Sequence, residues 1–116
     1  MVEATVTAFW GVTIHLIVDW LLQNHWMATY KASLKHPAAW VHAGMHTIAL
    51  LLVFPPLYAL AIGVIHLLID TRVPLATWRV IYRQTREGEV ALHVAIWGDQ
   101  VVHWAVICIA ALLLHI

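Results

Sequence analysis

The chain has 116 residues, is 63% hydrophobic and only 10% charged, and carries a formal net charge of zero. Its mean hydropathy is +0.84, whereas a soluble domain carries about 25% charged residues, so water is not its main solvent. The absence of a basic stripe or tail argues against nucleic acid as a partner. The single cysteine, Cys108, rules out an intrachain disulfide framework and reads as a small buried hydrophobe.

Four apolar stretches predict an all-α integral membrane domain over residues 1–116: a four-helix bundle with a short interfacial helix between spans 3 and 4. The first span covers about 4–23. The start MVEATVTAF lacks the basic n-region of a cleavable signal peptide, so this stretch reads as a retained span. After the connector NHWMATYKASLKH, the second span covers about 37–54 and the third about 57–71, separated by a tight FPPLY turn. Pro37 and Pro56 suit first-turn helix positions. Both spans are short against the roughly 20 residues a crossing needs, a deficit that tilt, bilayer thinning or oligomer packing would absorb. The connector TRVPLATWRVIYRQTREGE predicts a helix lying in the interface, with Trp78, Ile81 and Tyr82 towards lipid. The fourth span covers about 90–115.

All six Lys and Arg residues (Lys31, Lys35, Arg72, Arg79, Arg83 and Arg86) fall in the two longer connectors. Four spans put both connectors on one side, and the positive-inside rule makes that side cytoplasmic, with both termini outside. Trp20, Trp26, Tyr30, Trp40, Trp78 and Tyr82 cluster near the same boundary, as an aromatic belt does. There is also a faint internal echo. Ala28-Thr29-Tyr30-Lys31 and Ala76-Thr77-Trp78-Arg79 each follow an HxxxD pair, and His15–His42 and His66–His93 share a separation of 27, compatible with a duplicated hairpin.

Four pairs of metal-capable side chains sit four residues apart: His15/Asp19, His42/His46, His66/Asp70 and Asp99/His103. Positions i and i+4 share a helix face, so each pair offers two ligands in one direction. The predicted topology puts all four pairs in the cytoplasmic half of the bundle. A lone His in a membrane helix is ordinarily an interhelical hydrogen-bonding contact, and a lone Asp part of a proton path or ion pair. Four pairs at one depth exceed that. Five imidazoles and three carboxylates are too many for one ion and suit a dinuclear divalent-metal centre, zinc first, with iron or manganese as alternatives. One carboxylate among Asp19, Asp70 and Asp99 is the candidate general base. His25 and His36 read as exposed connector residues, His115 as terminal, and His93 as an extra ligand or a surface residue. Gln23, Asn24 and Gln100 adjoin the ligand positions, for outer support or interhelical hydrogen bonds. Arg79, Arg83 and Arg86 share a helical face, suited to an anionic leaflet or a phosphate headgroup.

These residues resemble the domain-of-unknown-function 3307 family of small bacterial multi-pass membrane proteins. The resemblance rests on His15, Asp19, Leu22-Gln23, Trp26-Met27, Lys31, His42, His46, His66, Ile69-Asp70, Asp99-Gln100 and His103, and covers nearly the whole chain. One departure is Val73, where the family often carries a Lys, with Arg72 just before it. The resemblance implies a multi-pass protein of the bacterial inner membrane and no established activity. A looser likeness to membrane-bound metal-dependent hydrolases suggests hydrolysis, by analogy only.

The leading expectation is therefore a metal-dependent hydrolase acting on a lipid or lipid-linked substrate at the cytoplasmic leaflet, with membrane lipid as its partner. The alternatives are a di-iron membrane oxidase or hydroxylase, and a non-enzymatic haem- or metal-binding accessory subunit. Homo-oligomerisation and membership of a larger membrane complex are both open.

Overall fold

A computed structural model describes residues 1–116 and is entirely helices and turns. Helix α1 (Val2–Ile17) runs directly into a π-helical turn (Val18–Leu22). The short α2 (His25–Tyr30) is followed by α3 (Pro37–Leu50), α4 (Pro56–Asp70), α5 (Val73–Ile81) and α6 (Gly88–Leu114). Local chemistry sets the boundaries. The Met27 N–H donates to Asn24 Oδ1 at 2.9 Å and starts α2. The Ala38 N–H donates to His36 Nδ1 at 3.1 Å, and Pro37 and Pro56 take first-turn positions of α3 and α4. Arg72, with φ +67°, turns the chain so that α5 leaves α4 at 63°.

The predicted helices are all present, with one addition: α2 lies inside the segment read as the first connector. Two helices are long and apolar enough to cross a membrane, α1 with its π turn and α6. With 14 and 15 residues, α3 and α4 rise only about 21–22 Å, short of a hydrocarbon core of about 30 Å. The four packed helices form a ring: α1 touches α3 and α6, and α4 touches α3 and α6. Across the middle, α1 and α4 make no close backbone approach, nor do α3 and α6. Side chains fill that space.

The filling differs at the two ends. Towards the α3–α4 turn it is apolar, built from Leu50, Phe54, Ile62 and Ile107 with small residues between them. Towards the other end it is polar. Of 26 buried residues, eight are His, Asp or Gln, while Phe9, Trp10, Leu21, Leu52 and Leu57 face outward. A chain with carboxylates inside and large apolar side chains outside inverts the water-soluble pattern.

The helices that carry the polar end approach closely where a glycine permits. A Cβ on Gly63 of α4 would overlap Thr47 Oγ1 of α3. Gly44 has open space around the same position. Gly63→Ala is therefore expected to lower stability by about 1–3 kcal/mol through overpacking, and Gly44→Ala to be neutral or stabilising through helix propensity. Thermal unfolding in detergent checks both; equal effects would show that the α3–α4 approach is not tight.

Candidate metal centre

Each of the four ring helices contributes side chains to the polar end. His15 lies in the last turn of α1, and Asp19 in the π turn. A π turn is wider than an α turn and re-aims the side chains after it, and such turns concentrate at functional sites. Here Asp19 Oδ2 stays 3.4 Å from His15 Nε2, while Oδ1 lies 3.0 Å from both His42 Nε2 and His46 Nε2 of α3. Asp70, at the end of α4, is the second hub. Its Oδ2 lies 3.0 Å from His66 Nε2 and 3.4 Å from His42 Nε2, and its Oδ1 3.2 Å from His103 Nε2 of α6. His42 thus stands between the two carboxylates. Asp99 Oδ1 is 3.6 Å from His103 Nε2.

All five imidazoles and both hub carboxylates are at most 5% exposed. The rings touch: His46 and His66 have centroids 3.7 Å apart, His66 and His103 4.2 Å, and His15 stands 4.9 Å from both His46 and His103. A void of about 10 Å³ lies among His15, His46, His66 and His103.

Two features mark this as more than a hydrogen-bond network. The first is crowding. Asp19 Oδ1 lies 3.0 Å from both His42 Nε2 and His46 Nε2, and Asp70 Oδ2 lies 3.0 Å from His66 Nε2 and 3.4 Å from His42 Nε2. Ligand atoms about 2.0–2.2 Å from one shared cation stand roughly 2.8–3.6 Å apart, whatever direction a hydrogen would take. The second is charge. Asp19 and Asp70 are buried carboxylates, and buried charges are paired or coordinate metals. Lys31 Nζ, 3.7 Å from Asp70 Oδ1, is the one Lys or Arg ion-paired to either. Ligand atoms fall into three groups, each within 4.8 Å: Asp19, His42, His46 and His66; His15, His66 and His103; Asp70, Asp99 and His103. These buried groups can hold a metal ion.

All eight residues singled out from sequence meet at this end of the ring. Asp99 is the outermost, its side chain 24% exposed. Gln100 supports the centre: its Nε2 donates to Asp19 Oδ2 at 3.1 Å and to Asp99 Oδ2 at 3.4 Å, and its Oε1 lies 3.2 Å from His15 Nε2. Nδ1 of His42 and of His46 is buried without a partner, so packing rather than an outer hydrogen bond orients these two rings.

Other expectations change. Asn24 caps α2 and takes no part in the centre. His36 is half-buried, stacked on Tyr30 at 4.3 Å and capping α3, rather than exposed. His93 is a surface residue, so the His66–His93 echo of His15–His42 does not extend to the site. His25 is exposed, and His115 meets Thr7 and Glu3 near the chain ends. Arg79, Arg83 and Arg86 do not share a helical face: α5 ends at Ile81, Arg83 has φ +55°, and Arg86 lies beyond the helix. Lys31, read from sequence only as a topology marker and a point of family likeness, turns out to face Asp70.

Beside Asp19, Asp70 and Asp99 opens a cleft of about 530 Å³, within the range of small-molecule sites. Among known families, the one described as "Protein of unknown function (DUF3307)" matches residues 9–116. No curated protein and no solved structure matches the chain.

Gln100 links Asp19, Asp99 and His15 without offering a charge. Gln100→Leu is expected to weaken retention of a divalent ion about 10–100-fold, as outer-shell losses do, at unchanged stoichiometry under saturating metal. Competition against a chromogenic chelator measures it; unchanged retention would remove Gln100 from the centre.

Proposed function

We propose that this chain, which belongs to the DUF3307 family, is an integral membrane metalloprotein that hydrolyses a lipid or lipid-linked ester at the cytoplasmic leaflet of the bacterial inner membrane. The observation that carries this reading is the convergence of five imidazoles on two buried carboxylates, with Nε2–oxygen distances of 3.0–3.4 Å.

In this reading residues 1–116 form one domain with four spans: α1 with its π turn, α3, α4 and α6. The short α3 and α4 cross by tilt and local thinning, and α5 lies in the interface. Its exposed Trp78 and Tyr82 stack at 4.9 Å, a pairing suited to the headgroup level. The Lys- and Arg-bearing connectors lie on the cytoplasmic side and both termini outside. The apolar plug of Leu50, Phe54, Ile62 and Ile107 supports a site open to one side over a through-path for transport.

Two divalent ions, zinc by preference, would fit the centre. Asp19, His42, His46 and His66 would hold one; Asp70 and His103, with His15 beside His103, would hold the other. Metal held by these residues would supply Lewis acidity towards an ester oxygen and a bound water. Asp99 is the general base, because it is the one carboxylate at the cleft that is partly exposed and that meets a single imidazole. It takes one proton from the attacking water as the new bond to oxygen forms, and returns it to the departing alkoxide as the ester bond breaks. Water is consumed, and an acid and an alcohol result. Gln100 holds Asp99 towards the cleft.

Elemental analysis of detergent-purified protein tests the reading: two zinc ions per chain and no visible colour are expected. His46→Ala and Asp70→Asn should each lose metal while remaining folded. Asp99→Asn should keep both ions and lose about 10²–10⁴-fold in cleavage of chromogenic long-chain esters. Iron with near-ultraviolet charge-transfer bands would move the reaction to oxidation, and metal-free wild type would overturn the centre. Single cysteines placed at Ser33 and Arg86, in a Cys108→Ala background, should both label from the cytoplasmic side; labelling from opposite sides would overturn the four-span topology.

A further inference from the structure

The cleft beside the centre is charged in a way that ester hydrolysis alone does not require. Three cationic side chains line it, Lys31, Arg72 and Arg79, half of the six Lys and Arg in the chain. They come from separate parts of the fold: the end of α2, the left-handed turn after α4, and α5. The carboxylates in the same wall are Asp19, Asp70 and Asp99, all belonging to the proposed centre. Lys31 reaches Asp70, whereas neither Arg72 nor Arg79 forms an ion pair. Arg79 is braced, its Nη2 donating to Thr85 O at 2.7 Å and to Ala91 O at 3.4 Å. That leaves its Nε buried and without a partner. A guanidinium held by backbone carbonyls, with no acid to neutralise it, is suited to an oxyanion such as phosphate.

The rest of the wall is two amides, Gln23 and Gln100, and six apolar residues. Leu75 and Ala76 of α5 face Leu92, Ala95 and Ile96 of α6, and Trp20 closes the side near Asp19. An anionic head joined to a hydrocarbon chain matches the unpaired guanidiniums and the apolar part of this lining.

We propose that the cleft binds a phosphate monoester of a long-chain alcohol, its phosphate on Arg72, Arg79 and Lys31 and its chain between α5 and α6. This rests on the hydrolase reading above and names its substrate class. A phosphate monoester carries nearly two negative charges and three free oxygens, matching two unpaired guanidiniums beside a metal centre better than a fatty carboxylate does. In the reaction a water oxygen bonds to phosphorus and the phosphorus–oxygen bond to the alcohol breaks. One water proton passes through Asp99 to the leaving alkoxide and the other stays on the phosphate. The products are inorganic phosphate and the free alcohol.

Titration calorimetry on the full chain in detergent, with hexyl phosphate, inorganic phosphate and hexanoate as probes, tests this. Hexyl phosphate should bind at least about tenfold more tightly than either of the others. Arg72→Asn should weaken it by about tenfold at unchanged metal content, and Asn suits the left-handed backbone at that position. Arg79→Gln, which removes the charge and retains a donor, should weaken it comparably. Unchanged affinity in Arg72→Asn and Arg79→Gln, with metal fully loaded, overturns the cleft and leaves the metal reading standing. Hexyl phosphate binding that still depends on Arg72 in protein that holds no metal upholds the cleft and overturns the hydrolase. Inorganic phosphate binding as tightly as hexyl phosphate overturns the chain-bearing ligand in favour of a soluble phosphate, and hexanoate binding as tightly overturns the phosphate.

Discussion

The polar end of this protein is organised by two carboxylates taken out of solvent. Asp19 and Asp70 hang from different helices, and between them they contact imidazoles from all four members of the ring. A carboxylate buried without compensation costs several kcal/mol, so the arrangement is stable only while its partners stay in place. His42 contacts both hubs, which ties α3 simultaneously to the π turn and to α4. The centre is therefore both the candidate site and the cross-brace of that end of the fold.

That dependence explains the division of the interior. At the α3–α4 turn, apolar side chains with alanines and a glycine bring the helices together by shape. The diagonal helices stay apart throughout, and at the other end imidazoles fill the gap between them. Backbones packed as closely there as at Gly63 would leave no room for five rings. The same geometry opens the cleft between α5 and α6, where the bend at Arg72 carries α5 away from the ring.

The cations fit the same scheme. Lys31 offsets part of the charge on Asp70, while Arg72 and Arg79 line the same cleft without an ion-pair partner. The carbonyls that brace Arg79 come from the α5–α6 connection and from α6 itself, so the loop after α5 serves to hold a side chain as well as to join two helices.

Much of this was legible in the chain itself. Hydropathy marks the long helices, Pro37 and Pro56 mark two starts, and spacing of four residues on a helix puts His15/Asp19, His42/His46, His66/Asp70 and Asp99/His103 on single faces, because that periodicity is local. What periodicity cannot carry is how faces of different helices meet. The π turn that aims Asp19 at α3 has no signature in the spacing, since the same i, i+4 pair fits an ordinary α-helix. Asn24 looked like an outer partner of the centre because it adjoins Gln23, but only the backbone decides that its side chain is used as a cap. Arg79, Arg83 and Arg86 keep helical spacing past the end of the helix, and the left-handed turn at Arg83 separates them. Tertiary packing alone chose His42 as the shared contact, left His93 outside, and brought Lys31, Arg72 and Arg79 to one cleft. Those outcomes depend on crossing angles and bends, which are set by close contacts such as Gly63 against Thr47 between residues far apart in the chain.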